Sequence, residues 1–415
     1  MLKGNNLLAL YSLLPRYEGK IKLIYIDPPY NTGSDGFGYN DKFNHSTWLV
    51  FMKNRLEIAR RLLREDGVIW INLDDIEARY AKVLGDEVFG RENFIANVIW
   101  KKKYSPQNDA QYFSAMHDHL LVFGKDKEKV ELNLLPRTEE AKSRYKNPDD
   151  DSRGPWQSGD LLRKDVQKTG LYTIINPRGR KIDPPKGTSW RVPEYRFYEL
   201  QEDNRIWFGE DGSNVPRIKR FLSEVKDGTP PQTVWDYSEV GHTQDARKHI
   251  IQLFQDSDSD FATPKPEGLL ARIVRISSDE NDIVLDYHLG SGTTTAVAHK
   301  MNRRWIGVEQ MDYIEDVTKM RLRKVIGQSG KDDSLLQEKV YTEYDEGGIS
   351  KAVNWRGGGS FVYPELAENT LPWLAWVSQA KKKTRCGVSL RSYGTVPGFR
   401  TGWTCTNTKK VKKNS

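Results

Sequence analysis

Residues 21–30 read IKLIYIDPPY: six residues that are almost all apolar, then an acid, two prolines and a tyrosine. Each proline lacks a backbone N–H and fixes φ, so a hydrogen-bonded ladder cannot continue past Asp27. A run that is apolar on both faces belongs inside a sheet covered on both sides. The segment therefore predicts a buried strand that stops abruptly and holds a carboxylate and a flat ring at its carboxyl end. In open α/β sheets that is the edge where ligands bind.

The neighbouring pattern extends this reading. TWLVFMKNRLEIARRLLR (47–64) places Trp48, Phe51, Met52, Leu56, Ala59, Leu62 and Leu63 at three- and four-residue steps. That spacing predicts an amphipathic helix, with Ser46 or Thr47 as its cap. GVIWINLD (67–74) predicts a second buried strand and a helix follows near 77–89, while NVIWKK (97–102) and HLLVFGK (119–125) predict two more strands. Strands alternating with helices imply a parallel or mixed α/β sheet. From about 126 to 260 the apolar runs shorten and Pro, Gly and charge rise, as in NPDDDSRGPW and DGTPPQTVW, which predicts a separate loop-rich region with short hairpins. The α/β pattern resumes at 261 with a helix over 267–276, the strand DIVLDY (282–287), a glycine-rich turn, a helix to Met301 and the strand RWIGVE (304–309).

The chain has 415 residues, which suits one large domain or two to three smaller ones. It lacks both an 18-residue apolar run and a signal-peptide layout, so neither a membrane span nor a membrane partner is expected and the setting is cytoplasmic. Two cysteines, Cys386 and Cys405, make no disulfide framework, and no metal is expected. The net charge is +7, but residues 381–415 hold ten Lys/Arg and no acid, so residues 1–380 carry −3. The basic character lies in the tail, and nucleic-acid binding has to be argued from sites.

A second constellation lies at DYHLGSGTTTAVAHKM (286–301), where a glycine turn joins a strand to a helix. Gly290 and Gly292 let backbone approach a ligand, and the helix start offers free N–H groups. Glu309 ends the next strand, where an acid takes the hydroxyls of a ribose. GSGTT lacks the GK[ST] of a triphosphate loop, so the pattern describes a nucleoside site. One reaction uses an acid acceptor, a stacking ring and a nucleoside site together: methyl transfer from S-adenosylmethionine to the exocyclic amine of a base. Asp27 and the Pro28 carbonyl would draw the amine toward tetrahedral geometry, and Tyr30 would stack on a base turned out of the duplex.

These residues also carry a resemblance. IDPPYNTGSDGFGYNDKF followed by STWLVFMKNRL resembles the amino-methyltransferase segment of DNA adenine-N6 methyltransferases, most closely the modification subunits of type III restriction–modification systems. The similarity runs through DEVFGRENFIANVIW, HDHLLVF, NRIWFGEDG, TPKPEGLL and DYHLGSGTT to about residue 365. Catalytic motif before cofactor motif, with a long insert between, is the order of the circularly permuted β group. The resemblance implies a Rossmann-like, seven-stranded S-adenosylmethionine-dependent methyltransferase sheet with an inserted target-recognition region. Residues 1–125 would be the catalytic half, 126–260 the recognition region, 261–330 the cofactor half and 331–415 a C-terminal extension. It implies catalysis by Asp27, Pro28, Pro29 and Tyr30, and a cofactor held by Asn5, Lys265, Pro266, Asp286, Gly290, Ser291, Gly292, Thr293 and Glu309. It further implies double-stranded DNA as substrate, N6 of adenine as acceptor, a restriction (helicase/nuclease) subunit as partner, and a homodimer. N4-cytosine methylation is the nearer alternative. A truncated, non-catalytic remnant that binds DNA or a partner is the more distant one.

Three departures from the family pattern stand out. The family has a longer segment ahead of GNN (4–6), so a truncated gene is an expectation and the strand feeding that turn should be nearly absent. His288 replaces the usual Phe before the first cofactor glycine. The tail after about 368 has no packing period, which reads as a frameshifted, disordered end; the competing reading is a basic arm for phosphates. Elsewhere, KKKY (101–104), RGRK (178–181), TSWR (188–191) and PRIKR (216–220) read as surface charge or phosphate contacts. His117 and His119 lack a third ligand at zinc spacing and read as polar residues at a strand start. Asp74 and Asp75 read as a helix cap or as pocket residues.

Overall fold

The computed structural model describes residues 1–33, 41–254, 263–329 and 341–366. The tail predicted to be disordered, with both cysteines, lies outside the described residues. Two compact units are present. One comprises Met1–Val130 and the described residues from Val234 onward, and the other is Glu131–Thr233.

The first unit is built on eight strands: β1 (Leu2–Lys3), β2 (Ile21–Ile26), β3 (Leu63–Leu73), β4 (Phe94–Lys101), β5 (His117–Gly124), β6 (Val234–Trp235), β7 (Ile283–Asp286) and β8 (Arg304–Glu309). Their order across the sheet is β1-β8-β7-β2-β3-β5-β4-β6. The count is eight rather than the expected seven, and a two-residue strand lies at each edge. The near-absent first strand is one of these, Leu2–Lys3 beside Val308–Glu309. Neighbours are parallel except where β5 runs antiparallel to β3 and β4. The carboxyl ends of the parallel strands and the start of β5 thus share one edge.

All six residues of β2 are buried, as its composition requires. Lys22 complies by extending its ammonium to the Asp66 carbonyl and carboxylate at 2.8 and 3.0 Å. On one face, α1 (Asn6–Tyr17), α2 (His45–Leu62) and α3 (Ala78–Phe89) pack Leu10, Trp48, Met52, Leu56 and Leu84 against Ile24, Ile26, Ile69 and Ile71. On the other face lies α5 (Glu267–Ser277), where the Trp70 indole donates to the Ser277 hydroxyl at 2.9 Å. Between them in chain order comes α4 (Thr243–Leu253), and α6 (Thr293–Lys300) and α7 (Lys319–Ile326) follow. The α2 helix starts two residues earlier than its pattern suggests: Asn44, not Ser46 or Thr47, accepts the Ser46 amide at 3.1 Å. No helix among the described residues is long and apolar enough to cross a membrane.

The second unit has a three-stranded antiparallel sheet, in which Arg217–Phe221 lies between Trp156–Asp160 and Ile206–Trp207. Its own core gathers Leu161, Ile174, Ile182, Trp190, Phe197, Leu200, Ile206 and Phe208. Several arginines of the sequence motifs are tied down within it: Arg178 donates to the Asp211 carbonyl at 2.8 Å and Arg191 to that of Leu162 at 2.9 Å.

Candidate active site

The Asp-Pro-Pro-Tyr turn leaves β2 at the sheet's carboxyl edge. No peptide bond among the described residues is cis, so the turn is held by contacts rather than by a cis proline. The Trp48 indole donates to the Pro29 carbonyl at 2.8 Å. Asn31 sits at φ 59°, a conformation asparagine tolerates, and its side chain accepts from Phe43 N and donates to Glu77 at 2.7 and 2.8 Å. Asp41 accepts from the Asn31 and Thr32 amides.

Asp27 is pinned on one oxygen and bare on the other. Lys265 Nζ donates to Oδ2 at 2.6 Å, while buried Oδ1 has no hydrogen-bond partner. Burial raises its pKa, and the Lys265 ammonium pulls it partly back down. Tyr30 is held by its hydroxyl, which donates to Asp118 Oδ2 at 3.1 Å and accepts from the Asn72 amide. Lys102 Nζ reaches the buried Asp118 at Oδ1, 2.6 Å away, so the middle of KKKY is a half-buried ion pair and not a solvated run.

Two cavities meet at Asp27 and Lys265. One is lined by Pro28, Tyr30, Asp74, Lys102, Asp118 and His242, among others. The other is lined by Asn6, Asp27, Pro29, Phe51, Lys265, Asp286, His288, Gly290, Ser291, Thr293 and Glu309, among others. The second gathers most of the residues the sequence proposed for a cofactor. Asn5, Pro266 and Gly292 do not line it. Asn5 caps α1 by accepting from Leu7 N and Leu8 N, and its neighbour Asn6 faces the cavity instead. Pro266 caps α5. Gly292, at φ 80°, starts α6 where a Cβ would come within 2.9 Å of Thr318 Cγ2.

The walls of this cavity are unusually short of internal partners. Buried Tyr25 Oη, Asp27 Oδ1, Tyr287 Oη and His288 Nε2 all belong to lining residues and make no hydrogen bond. Buried polar atoms are normally paired, so their concentration at one cavity marks a place for a polar ligand. Asp286 accepts from His288 N at 2.9 Å and from the Thr294 hydroxyl at 2.6 Å, yet burial still pushes its pKa up to about 7. Glu309 accepts amides from Gly290, Gln310 and Met311 at 2.8–3.0 Å, and burial raises its pKa as well. Burial keeps the His288 imidazole neutral, and its ring lies 5.8 Å from that of Phe51. The aromatic wall lost at 288 is thus supplied in part by α2.

Sequence reasoning gave no role in the site to Asn6, Asn72 or Asp118, and it took Lys102, within KKKY, for surface charge or a phosphate contact. For Asp118 a signal was present: it alternates with two histidines at a strand start, so it must face the side they do not.

A family profile described as DNA methylase matches residues 21–320. The chain is 39% identical to the probable type III restriction-modification enzyme HindVI Mod subunit of Haemophilus influenzae, over 88% of this chain and 54% of that protein. It is 35% identical to the type III restriction-modification enzyme StyLTI Mod subunit of Salmonella typhimurium, over 72% and 50%. With the type II methyltransferase M.EcaI of Enterobacter cloacae it shares 30% identity, over 74% and 65%. The chain spans about half the length of the Mod subunits it matches. An unpartnered acid beside a ring at one cavity, and a glycine turn beside an acid at the next, lie inside the matched segment, and the chain belongs to the DNA methylase family.

Proposed function

We propose that this chain methylates DNA at N6 of adenine, with S-adenosylmethionine as methyl donor, as the modification component of a restriction–modification system. The observation that carries the reading is Asp27 Oδ1, a buried acceptor with no partner at the junction of two cavities. An exocyclic amine is a poor nucleophile because its lone pair is delocalised into the ring. An N–H bond to Oδ1 localises that pair, and the same oxygen is placed to take the proton that N6 must shed. Burial still raises the pKa of this carboxylate, and Lys265 on Oδ2 offsets part of that rise, which favours the ionised form. Tyr30 offers its face to the flipped base, and its hydroxyl is anchored so that the ring does not turn.

The donor fits the other cavity. Three carboxylates line it, Asp27, Asp286 and Glu309, and its orphaned hydroxyl and imidazole groups suit a ligand rich in hydroxyls and cationic centres. Glu309 would hold the ribose, the backbone at Gly290–Thr293 would approach the nucleoside, and Phe51 with His288 would form an apolar wall. When bound, S-adenosylmethionine supplies an electrophilic methyl group. The protein's part is to hold the two partners in line. The unit of residues 131–233, within the expected recognition region 126–260, would read the DNA sequence. A restriction subunit is a proposed protein partner, in keeping with the names of the Mod relatives, and a second copy of this chain is proposed beside it from the family resemblance alone.

The reading is tested by incubating the protein with methyl-labelled S-adenosylmethionine and unmethylated DNA, then separating the nucleosides. Label in N6-methyladenine is expected. Label in N4-methylcytosine would move the acceptor to the other exocyclic amine, and no label with or without a restriction subunit would favour the non-catalytic reading. Two variants refine it. Glu309→Ala should weaken S-adenosylmethionine binding by roughly 10–100-fold in calorimetry, the loss of one or two charged hydrogen bonds. Tyr30→Ala should raise the KM for DNA by roughly 10–100-fold through lost stacking, and Tyr30→Phe by much less, since the ring remains.

A further inference from the structure

Strand β5 opens with His117, Asp118 and His119, whose side chains alternate between faces of the sheet. Asp118 turns to Tyr30. The two histidines turn the other way, and there they meet Asp75 from the turn that follows β3. His119 Nε2 lies 3.1 Å from Asp75 Oδ1, and His117 Nε2 lies 3.9 Å from Asp75 Oδ2. One donor atom from each residue falls within 4.8 Å of the others. The third ligand that the sequence spacing lacked is thus brought in by the fold.

Two imidazoles and a carboxylate form a donor set suited to Zn²⁺ and its first-row neighbours. With metal–ligand bonds of about 2.0–2.2 Å, a tetrahedral ion sets its donors roughly 3.3–3.6 Å apart. The two measured separations bracket that range. The surroundings orient the ligands. Both polar atoms of the Asn97 amide in β4 lie beside His119 Nδ1, Nδ2 at 3.1 Å and Oδ1 at 3.3 Å; metal binding requires the amide to turn its oxygen to Nδ1–H, which leaves Nε2 unprotonated and facing Asp75. Arg79 donates to Asp75 Oδ1 at 2.8 Å, which fixes the carboxylate and leaves Oδ2 toward His117. The other histidine–carboxylate cluster, His249 with Glu267 and Asp345, is more fully neutralised: the buried Lys300 ammonium and Arg321 guanidinium pair both of its acids, whereas Asp75 is met by the exposed Arg79.

We propose that Asp75, His117 and His119 bind a divalent transition-metal ion, Zn²⁺ by preference, with its fourth position open to solvent. The ion would fasten the β3–α3 turn to the first residues of β5, on the opposite face from the Asp118 that anchors Tyr30.

The test is titration of the metal-free full chain with Zn²⁺ by calorimetry and with Co²⁺ by visible absorption. One equivalent is expected, with the intense bands of tetrahedral cobalt. His119→Ala should abolish the signal, and the more exposed His117→Gln should weaken binding at least tenfold. Asn97→Ala should weaken it about tenfold, because it touches only the far nitrogen of His119. Each variant is first checked for native circular dichroism. No binding by the native chain, or native affinity in both His117→Gln and Asn97→Ala, would overturn the proposal.

Discussion

Asp27→Ala is expected to lower the rate of methyl transfer by about 10³-fold or more while leaving DNA and S-adenosylmethionine affinities within a few-fold of native. The asymmetry of the carboxylate is the reason. Oδ2 already has its bond to Lys265, whereas Oδ1 is buried and unpartnered, on a residue that lines both cavities. Little binding energy is lost when it is removed, because Oδ1 contributes most once charge moves on the amine. Single-turnover methylation with DNA binding measured in parallel separates the two effects, and a mutant with native turnover would sink the mechanism. Lys265→Met gives the companion result. The ammonium opposes the upward push of burial on the Asp27 pKa, so its loss should raise that pKa. Asp27 must be ionised to accept an N–H, so the acidic limb of the kcat/KM profile should move to higher pH. A lower maximum without movement of that limb would mean that Lys265 acts on the cofactor alone.

The largest effect on stability is expected at Glu267. Its carboxylate bonds Lys300 at 2.9 Å and Arg321 at 2.9 Å, Asp345 bonds Lys300 at 2.6 Å, and all four side chains are almost wholly buried. Burial opposes ionisation of Glu267, but Lys300 and Arg321 prevail and hold its pKa below the usual range. Glu267→Ala strands two buried cations with one acid between them, which costs about 3–5 kcal/mol. For a chain of this size, a fall in Tm of roughly 3–6 °C follows. The sign with pH is also fixed. Folded pKa values of Glu267 and Asp345 are depressed, so their contribution is complete above the ordinary carboxylate range and is lost as pH falls below it. The variant should therefore differ most from the native chain near neutral pH and least in acid. Arg321 also donates to the Thr293 hydroxyl at 2.8 Å, so cofactor affinity should fall with stability.

The central strands and the helices around the sheet, though not the start of α2, were legible because burial on both faces and apolar periodicity leave strong local marks. IKLIYI and RWIGVE lie where their patterns put them. Two features were not legible. The short edge strands Leu2–Lys3 and Val234–Trp235 carry too few residues to show a period. The second is every contact made across the sheet. Asp27 with Lys265, Tyr30 with Asp118, and Asp75 with the two histidines are joined by 238, 88 and 44 or fewer positions of intervening chain. No local pattern encodes such pairings. The motifs named the reactive groups, and the fold supplied the groups that hold them.

The reversed direction of β5 decides how the site tolerates insertion and deletion. Because this strand enters at the functional edge, its side chains there are set by its first residues, after the connection 102–116. Residues gained or lost in the middle of that connection lengthen or shorten a loop and leave the strand's pairing intact. A single residue gained between His119 and the paired run Leu120–Gly124 would instead exchange the two faces, bringing the His119 imidazole to Tyr30 and Asp118 to Asp75. Length variation among descendants of this chain should accordingly be free on one side of His117 and nearly forbidden on the other.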